Sequence, residues 1–349
     1  MALLPLLSLL SMLLGLNEAE LVFAGDAMQH QAQLEAARRD GGWDYSECFA
    51  GIVPWIESAD LAVVNLETPV GAAPHSGYPC FNAPEAFMHA LRDAGFDLFL
   101  TANNHTLDRH DLGLRSTLDA LDACGLPHTG TYRDAAARDS LVPHVRSVAG
   151  IRIGFLNYTY GTNGIEARDG AAVDYIDREI MAADIEATKA AGAEIICVCV
   201  HWGDEYQLLP NASQRALAQW LQEQGVQLII GSHPHVIQPM ELRENPDSSK
   251  CLVVYSLGNF ISNMRTRDTR GGALAVVRLA RRLDGRVDIS SAGWRLHFTE
   301  PATDKHNFRV VDAHASTDPR AAAFRAAAER IFKAHNRDVP RMPERRLTP

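Results

Sequence analysis

From residue 20 onward the chain alternates between short apolar runs that end on a polar group and longer stretches with helical spacing. "ELVFAGD" (20–26) reads as a strand closing on an acidic turn, and "LAVVNLE" (61–67) and "DLFLTANNH" (97–105) repeat the arrangement. Helical patterns lie around 30–39, 49–58 and 84–94, each ending near glycine or an acidic loop. "DLGLRSTLDALDACG" (111–125) predicts an amphipathic helix with Leu112, Leu118 and Leu121 on or near one side and Gly125 as its stop.

The period then changes. "SLVPHVRSVAGIRIGFLNYTY" (140–160) predicts two strands about a turn at Gly150, followed by a polar, glycine-containing loop from Asn157 to Gly164. A helix near 175–191 leads into the strand "EIICVCV", then His201 and "WGDE"; a further helix over 213–224, with Ser213 as its cap, leads into "VQLIIGSHPH". "CLVVYSLGNFI", "GALAVVRLARR" and "VDISSAGWRLHF" are strand-like, and the last two join near "LDGR" without a crossover. This mix implies an α/β core with more than one sheet. An alanine-rich helix begins at Asp318 and Pro319, and "NRDVPRMPERRLTP" (336–349) reads as an exposed tail.

With 349 residues, no internal repeat and no long linker, the expected organisation is one main domain over 18–300, a C-terminal helix and tail over 301–349, and a separate segment 1–17. The apolar run "MALLPLLSLLSMLLGL" at that start suits an export signal or membrane anchor, a first element packed onto the domain, or a mis-set start site. It lacks a preceding Lys or Arg and is interrupted by Pro5 and Gly15. The expected location is the cell envelope, with the cytoplasm as the alternative and membrane association through residues 1–16. The formal charge of -10, with 43 acidic against 33 basic residues and no dense basic stripe, argues against nucleic acid as the main partner. Six cysteines form no CxxC pair. Cys197 and Cys199 share one face of an apolar strand and are expected in the core.

Five strand ends carry groups able to bind a cation: Asp26; Asn65 and Glu67; Asn103, Asn104 and His105; His201; His233 and His235. In an α/β protein, chains leave the sheet at the carboxyl ends of the strands, so these side chains are candidates for one crevice. Each has a plainer reading: Asp26 as a turn or cap residue, Glu67 in a loop salt bridge, Asn65 and Asn103 as turn formers, His201 as a neutral core histidine. Carboxylate, amide and imidazole together suit Mn, Fe or Zn. A pair of cations could activate water and clamp a tetrahedral transition state. His233 and His235, at like parity on an extended segment stiffened by Pro234, are expected to turn both rings to one face.

The blocks "FAGDAMQH", "VVNLETPV", "TANNHTLDRHDLGLRSTLDAL", "HWGDE", "IIGSHPHVIQPME" and "VVYSLGNFI" resemble, in order, those of the bacterial CapA family of poly-gamma-glutamate capsule synthesis, over roughly residues 20–275. That family is similar to the calcineurin-like metallophosphoesterases. The resemblance implies a multilayer α/β sandwich of two mixed sheets flanked by helices, with one or two divalent metals. It implies Asp26, Glu67, Asn104, His201, His233 and His235 as metal ligands and His105 as the catalytic proton donor. Met28 stands where the superfamily has a histidine, and His30 lies two places further on, able to compensate or only to hydrogen-bond a ligand. Tyr158, Tyr160 and Asn163 in "NYTYGTNG", together with Glu205, are candidate substrate contacts, each with a structural alternative. Asp108 and Asp111 are candidates to orient His105, Asp111 also as a helix cap and Asp108 as a surface residue. The implied function is a metal-dependent hydrolase of a phosphate ester or of a gamma-glutamyl or other envelope polymer, acting through metal-activated water. The alternative is a non-catalytic component that binds or assembles such an anionic polymer.

Overall fold

The computed structural model describes residues 17–344; the segment 1–16, read above as a signal, anchor or packed element, lies outside the described residues, as does 345–349. The first part of the chain lays down strands β1 (Glu18–Ala27), β2 (Leu61–Leu66), β3 (Leu98–Leu100) and β4 (His128–Thr129). Between them lie helices α1 (Gln31–Ala37), α2 (Val53–Ile56), α3 (Glu85–Asp93) and α4 (His110–Ala123). The middle adds α5 (Ala135–Leu141), β5 (His144–Val148), β6 (Ile151–Thr159), α6 (Arg178–Ala190), β7 (Ile195–His201), α7 (Ala212–Glu223), β8 (Leu228–Ser232), β9 (Met240–Glu244) and β10 (Lys250–Val254). The last part supplies β11 (Asn259–Ile261), β12 (Gly271–Arg281), β13 (Val287–Glu300), β14 (Arg309–Asp312) and α8 (Pro319–His335).

These strands form two mixed sheets. One has the order β14-β13-β12-β1-β2-β3-β4, with β11 paired in parallel beside the end of β1; the other has the order β9-β10-β8-β7-β6-β5. Period-two alternation decides what each face meets. Leu21 and Phe23 of β1 share an apolar core with Phe155, Cys197, Cys199, Ile230 and Val254 of the second sheet. Val22 and Ala24 instead pack with Phe87, Met88, Leu91 and Leu121 from α3 and α4. On the outer face of the second sheet, Leu156, Val198 and Ile229 meet Met181, Ile185, Leu217 and Leu221 from α6 and α7. The fold is therefore helices, sheet, sheet, helices, the two-sheet α/β sandwich that the sequence implied. Among the described residues no helix is long and apolar enough to cross a membrane.

Local details depart from the pattern-based reading. Leu112 is exposed; α4 buries Leu118 and Leu121 as expected, and Leu114 and Thr117 beside them. The cap of α7 is Asn211, not Ser213: its side chain accepts from Gln214 N–H at 2.9 Å, and the Gln214 side chain accepts from Asn211 N–H at 2.9 Å. The segment expected as an exposed tail is knitted to both sheets as far as 344. Leu242 N–H donates to Arg337 C=O, Trp294 N–H to Pro340 C=O and Met342 N–H to Trp294 C=O, and Val339 is buried. Backbone groups of an edge strand need partners, and this segment supplies them.

Candidate metal centre

The parallel strands of both sheets direct their carboxyl ends to one edge of the sandwich. In the first sheet Asp26 pairs in register with Asn65 on one side and Asn259 on the other. In the second, His201 lies between Thr159 and Ser232. Glu67 follows β2, residues 103–105 follow β3, and His233 and His235 follow β8. The inter-sheet gap at this edge is filled by polar side chains in place of the apolar core.

All six residues named as metal ligands meet there, and all are buried. His235 Nδ1 lies 3.2 Å from Asp26 Oδ2 and 2.9 Å from Asn259 Oδ1. With its proton on Nδ1, its other nitrogen presents a lone pair toward Glu67 Oε1, 3.7 Å away. His201 Nε2 stands 3.7 Å from the same Glu67 oxygen and 2.9 Å from Asn104 Oδ1. The ring centroids of His201 and His233 are 4.8 Å apart. Asn65 donates to Asp26 Oδ1 at 2.8 Å, and Asn103 donates to the Leu66 carbonyl at 2.9 Å. The Asn65 amide thus braces the Asp26 carboxylate, and the Asn103 amide braces the backbone at Leu66. Two groups of donor atoms lie within 4.8 Å of one another: Asp26, Glu67 and His201, and Glu205, His233 and His235.

The two histidines reach this position by a route that parity reasoning missed. His233 and His235 have φ of 100° and 58°, so the chain turns through left-handed conformations on either side of Pro234. Such backbone at a non-glycine residue is strained and persists only where its surroundings hold it. His233 N–H donates to Asp26 Oδ2 at 3.3 Å, and Tyr206 N–H donates to the Pro234 carbonyl at 2.8 Å.

The electrostatics ask for positive charge. Burial, then the neighbouring Asp26 charge, pushes the Glu67 carboxyl well above its ordinary range. Burial would also raise Asp26, but its side-chain hydrogen bonds to His235 and Asn65 hold it well below the usual value. Burial drives His201 far down and His233 down to about 3, so both imidazoles are neutral, the form that binds metals. Glu67 Oε1 and His233 Nδ1 are buried with no hydrogen-bond partner among the described residues. A buried donor set with unpaired ligand atoms and a destabilised anion fits one or two divalent cations.

His105 sits beside this group, its Nδ1 2.8 Å from Asp108 Oδ2. Asp108 is buried, not a surface residue, and also accepts the Phe81 N–H at 2.8 Å. Asp111 serves another purpose: its carboxylate accepts the N–H groups of Arg168, Asp169 and Ala171 and so fastens the loop before α6.

The expected substrate contacts divide. Tyr160 is 49% exposed and lays its ring against His233 at a centroid distance of 4.6 Å, and Asn163 accepts a hydrogen bond from Asn104 at 3.2 Å. Tyr158 does not line the crevice. Strand alternation turns it to the helix side of β6, where it is buried and donates to Asp184 Oδ2 at 2.8 Å. Glu205 is exposed at the mouth and within coordinating reach of the histidine pair. Met28 is buried, and His30 caps α1 with its Nδ1 accepting from Asn263 N–H at 3.3 Å and its ring edge-on to Phe81. Asn259, the first residue of β11, fixes the His235 ring through its side-chain oxygen.

A sequence profile described as "Bacterial capsule synthesis protein PGA_cap" matches residues 20–264. The capsule biosynthesis protein CapA of Bacillus anthracis is 26% identical over 270 residues, covering 74% of this chain and 63% of that protein. The PGA biosynthesis protein CapA of Bacillus subtilis is 26% identical over 294 residues, covering 81% of this chain and 73% of that protein. The chain thus spans less than two thirds of the Bacillus anthracis relative. Among solved structures, the NAD nucleotidase of Haemophilus influenzae aligns at a TM-score of 0.49 and 12% identity, covering 93% of this chain and 58% of that chain.

Proposed function

We propose, from the premise that the chain belongs to the bacterial capsule synthesis protein family PGA_cap, that it is a metal-dependent hydrolase acting in the cell envelope. Its substrate would be a phosphate ester or a gamma-glutamyl or related anionic polymer. The observation that carries this reading is the pairing of unpartnered, buried Glu67 Oε1 and His233 Nδ1 with four further ligand-type side chains at one sheet edge. Asp26, Glu67, Asn104, His201, His233 and His235 would hold Mn, Fe or Zn. Such a cation supplies Lewis acidity toward the scissile group and makes water a nucleophile near neutral pH.

The remaining steps belong to the chain's own groups. Asp108 anchors Nδ1 of His105, which fixes the ring and leaves Nε2 to deliver a proton to the departing oxygen or nitrogen. Phe81 packs edge-on to that ring at 4.6 Å between centroids and limits its rotation and its exposure to water. Tyr160 and Asn163 would contact the bound substrate at the open side.

A second reading, polymer binding or assembly without cleavage, is favoured by the relatives' names, which specify biosynthesis. The purified protein, reconstituted separately with Mn, Fe and Zn, is assayed on a phosphomonoester and phosphodiester panel and on poly-gamma-glutamate. Turnover that disappears in His105→Asn with metal retained supports the hydrolase. Metal and polymer bound, with every substrate left intact, supports the binding role.

A further inference from the structure

We propose that the cavity between α3 and the segment 43–53 binds a neutral sugar ring, sharing no residue with the strand-end edge and needing no metal ion. Its volume is about 530 Å³, within the usual span of small-ligand sites. It lies over the helix-covered face of the first sheet, where Tyr45 and Phe49 of its lining pack with Phe87, Met88 and Leu91.

The sequence sets its two walls. α3 carries alanine at 86 and 90, and Ala94 follows at its end, about one per helical turn, so this stripe of the helix offers no side chain beyond Cβ. The facing wall is Trp43, Tyr45, Phe49 and Val53. Backbone bonds keep that wall from settling onto the alanines. Asp44 N–H donates to the Ala37 carbonyl at 2.8 Å, Val310 N–H donates to the Cys48 carbonyl at 2.7 Å, and the Asn307 side chain donates to the Asp44 carbonyl at 3.0 Å. A groove therefore stays open between an aromatic face and a shallow one.

Two polar atoms of the aromatic wall point to the occupant. Tyr45 is 4% exposed, and its hydroxyl is buried with no hydrogen-bond partner among the described residues; Trp43 Nε1 is in the same state. Unpaired groups of this kind cost free energy that a ligand able to pair them recovers. The indole N–H only donates, and the phenol donates or accepts. The lining also holds the carboxylates of Asp44 and Asp93 and no Lys or Arg. That composition disfavours an anion, the class expected at the metal edge, and offers acceptors to hydroxyl groups. A cation finds little free negative charge, because Asp44 lies 3.9 Å from Arg39 and Asp93 2.7 Å from Arg92. A pyranose suits every part of the groove. Its hydroxyls accept from Trp43 and Tyr45 and donate to the carboxylates, and its C–H face lies on aromatic rings whose π-clouds are negative.

The test uses the full-length protein and saturation-transfer NMR, with glucose and N-acetylglucosamine as probes, each with and without EDTA. At least one sugar should bind saturably, and EDTA should not change the signal. Tyr45→Phe and Trp43→Phe should each weaken binding about fivefold, the worth of one lost hydrogen bond. Ala90→Leu, which fills the groove from its shallow side, should abolish it. Without sugar, Tyr45→Phe should melt at or above the wild-type temperature, because its hydroxyl has no partner in the fold. Failure of both sugars to bind, binding that EDTA removes, or binding that the variants leave unmoved overturns the proposal. Choline bound in the sugars' place overturns it as well, by making the groove a cation site. A Tyr45→Phe protein that melts lower without sugar does the same, by putting the hydroxyl in the service of the fold. None of these outcomes bears on the metal reading.

Discussion

His105 has one ring nitrogen committed to Asp108, so on the proposed reading substitutions at this pair would separate proton delivery from metal binding. On any substrate that the wild type cleaves, His105→Asn should lower kcat by about 10²- to 10⁴-fold, the usual worth of a positioned acid, with metal content unchanged. Asp108→Asn should lower it less and move the pH limb that reports the acid; parallel pH–rate profiles and elemental analysis check both. A second residue sets acid stability. His297 is fully buried, both ring nitrogens lack partners among the described residues, and burial pushes its pKa down to about 3. Between there and the unfolded value near 6.5, the unfolded chain takes up a proton that the folded protein refuses. The contribution of His297 to stability is therefore complete above about pH 6.5 and falls by about 1.4 kcal/mol per unit below it. Urea unfolding at pH 7 and pH 5 should show a smaller pH dependence for His297→Leu than for the wild type. Residue types announced the site because Asp, Asn and His at successive strand ends are chemically conspicuous. The orientation of Tyr158 was not legible, since parity depends on a register that only the neighbouring strands fix.

Close approach between elements explains why small residues stand at the edge of the site. A Cβ on Gly25 would overlap the carbonyl oxygen of Gly258, where the chain crosses from β10 in one sheet to β11 in the other at φ 70°. Gly25→Ala should cost about 3 kcal/mol or more in urea unfolding and disturb Asp26, its neighbour in sequence. The Asn211 cap should be worth about 1 kcal/mol, read as the loss in Asn211→Ala, with Ser213→Ala near neutral. Strands and helices were readable because their apolar periods are strong, and each boundary error has a local cause. Ser213 competed with an equally good cap two residues earlier, and the turn at His233 and His235 is bent by contacts with Asp26 and Tyr206 from distant segments. "CLVVYSLGNFI" reads as one apolar run, yet it contains two strands in different sheets, divided at Gly258.

The site belongs to the whole sandwich, because Asp26, Glu67 and Asn104 come from one sheet and His201, His233 and His235 from the other. A cation held between them, as proposed, would tie the sheets together in the folded state alone. Removing it should lower the melting temperature, and adding it back should restore the loss, by about 2.7 kcal/mol when free metal is at a hundredfold excess over Kd. The α/β class followed from the alternating strand and helix periods, and the shared crevice from strand-end chemistry. The packing of residues 336–344 onto both sheets did not, because a polar, proline-containing segment carries no apolar period to mark where it docks. The most direct single measurement is the metal content, by elemental analysis, of wild type and Glu67→Gln after reconstitution with Mn, Fe or Zn and exhaustive dialysis. At least one tightly held equivalent in the wild type, lost in Glu67→Gln with the fold intact, is the expected result. A wild type that retains no metal, or a Glu67→Gln protein that keeps the full wild-type complement, would contradict it.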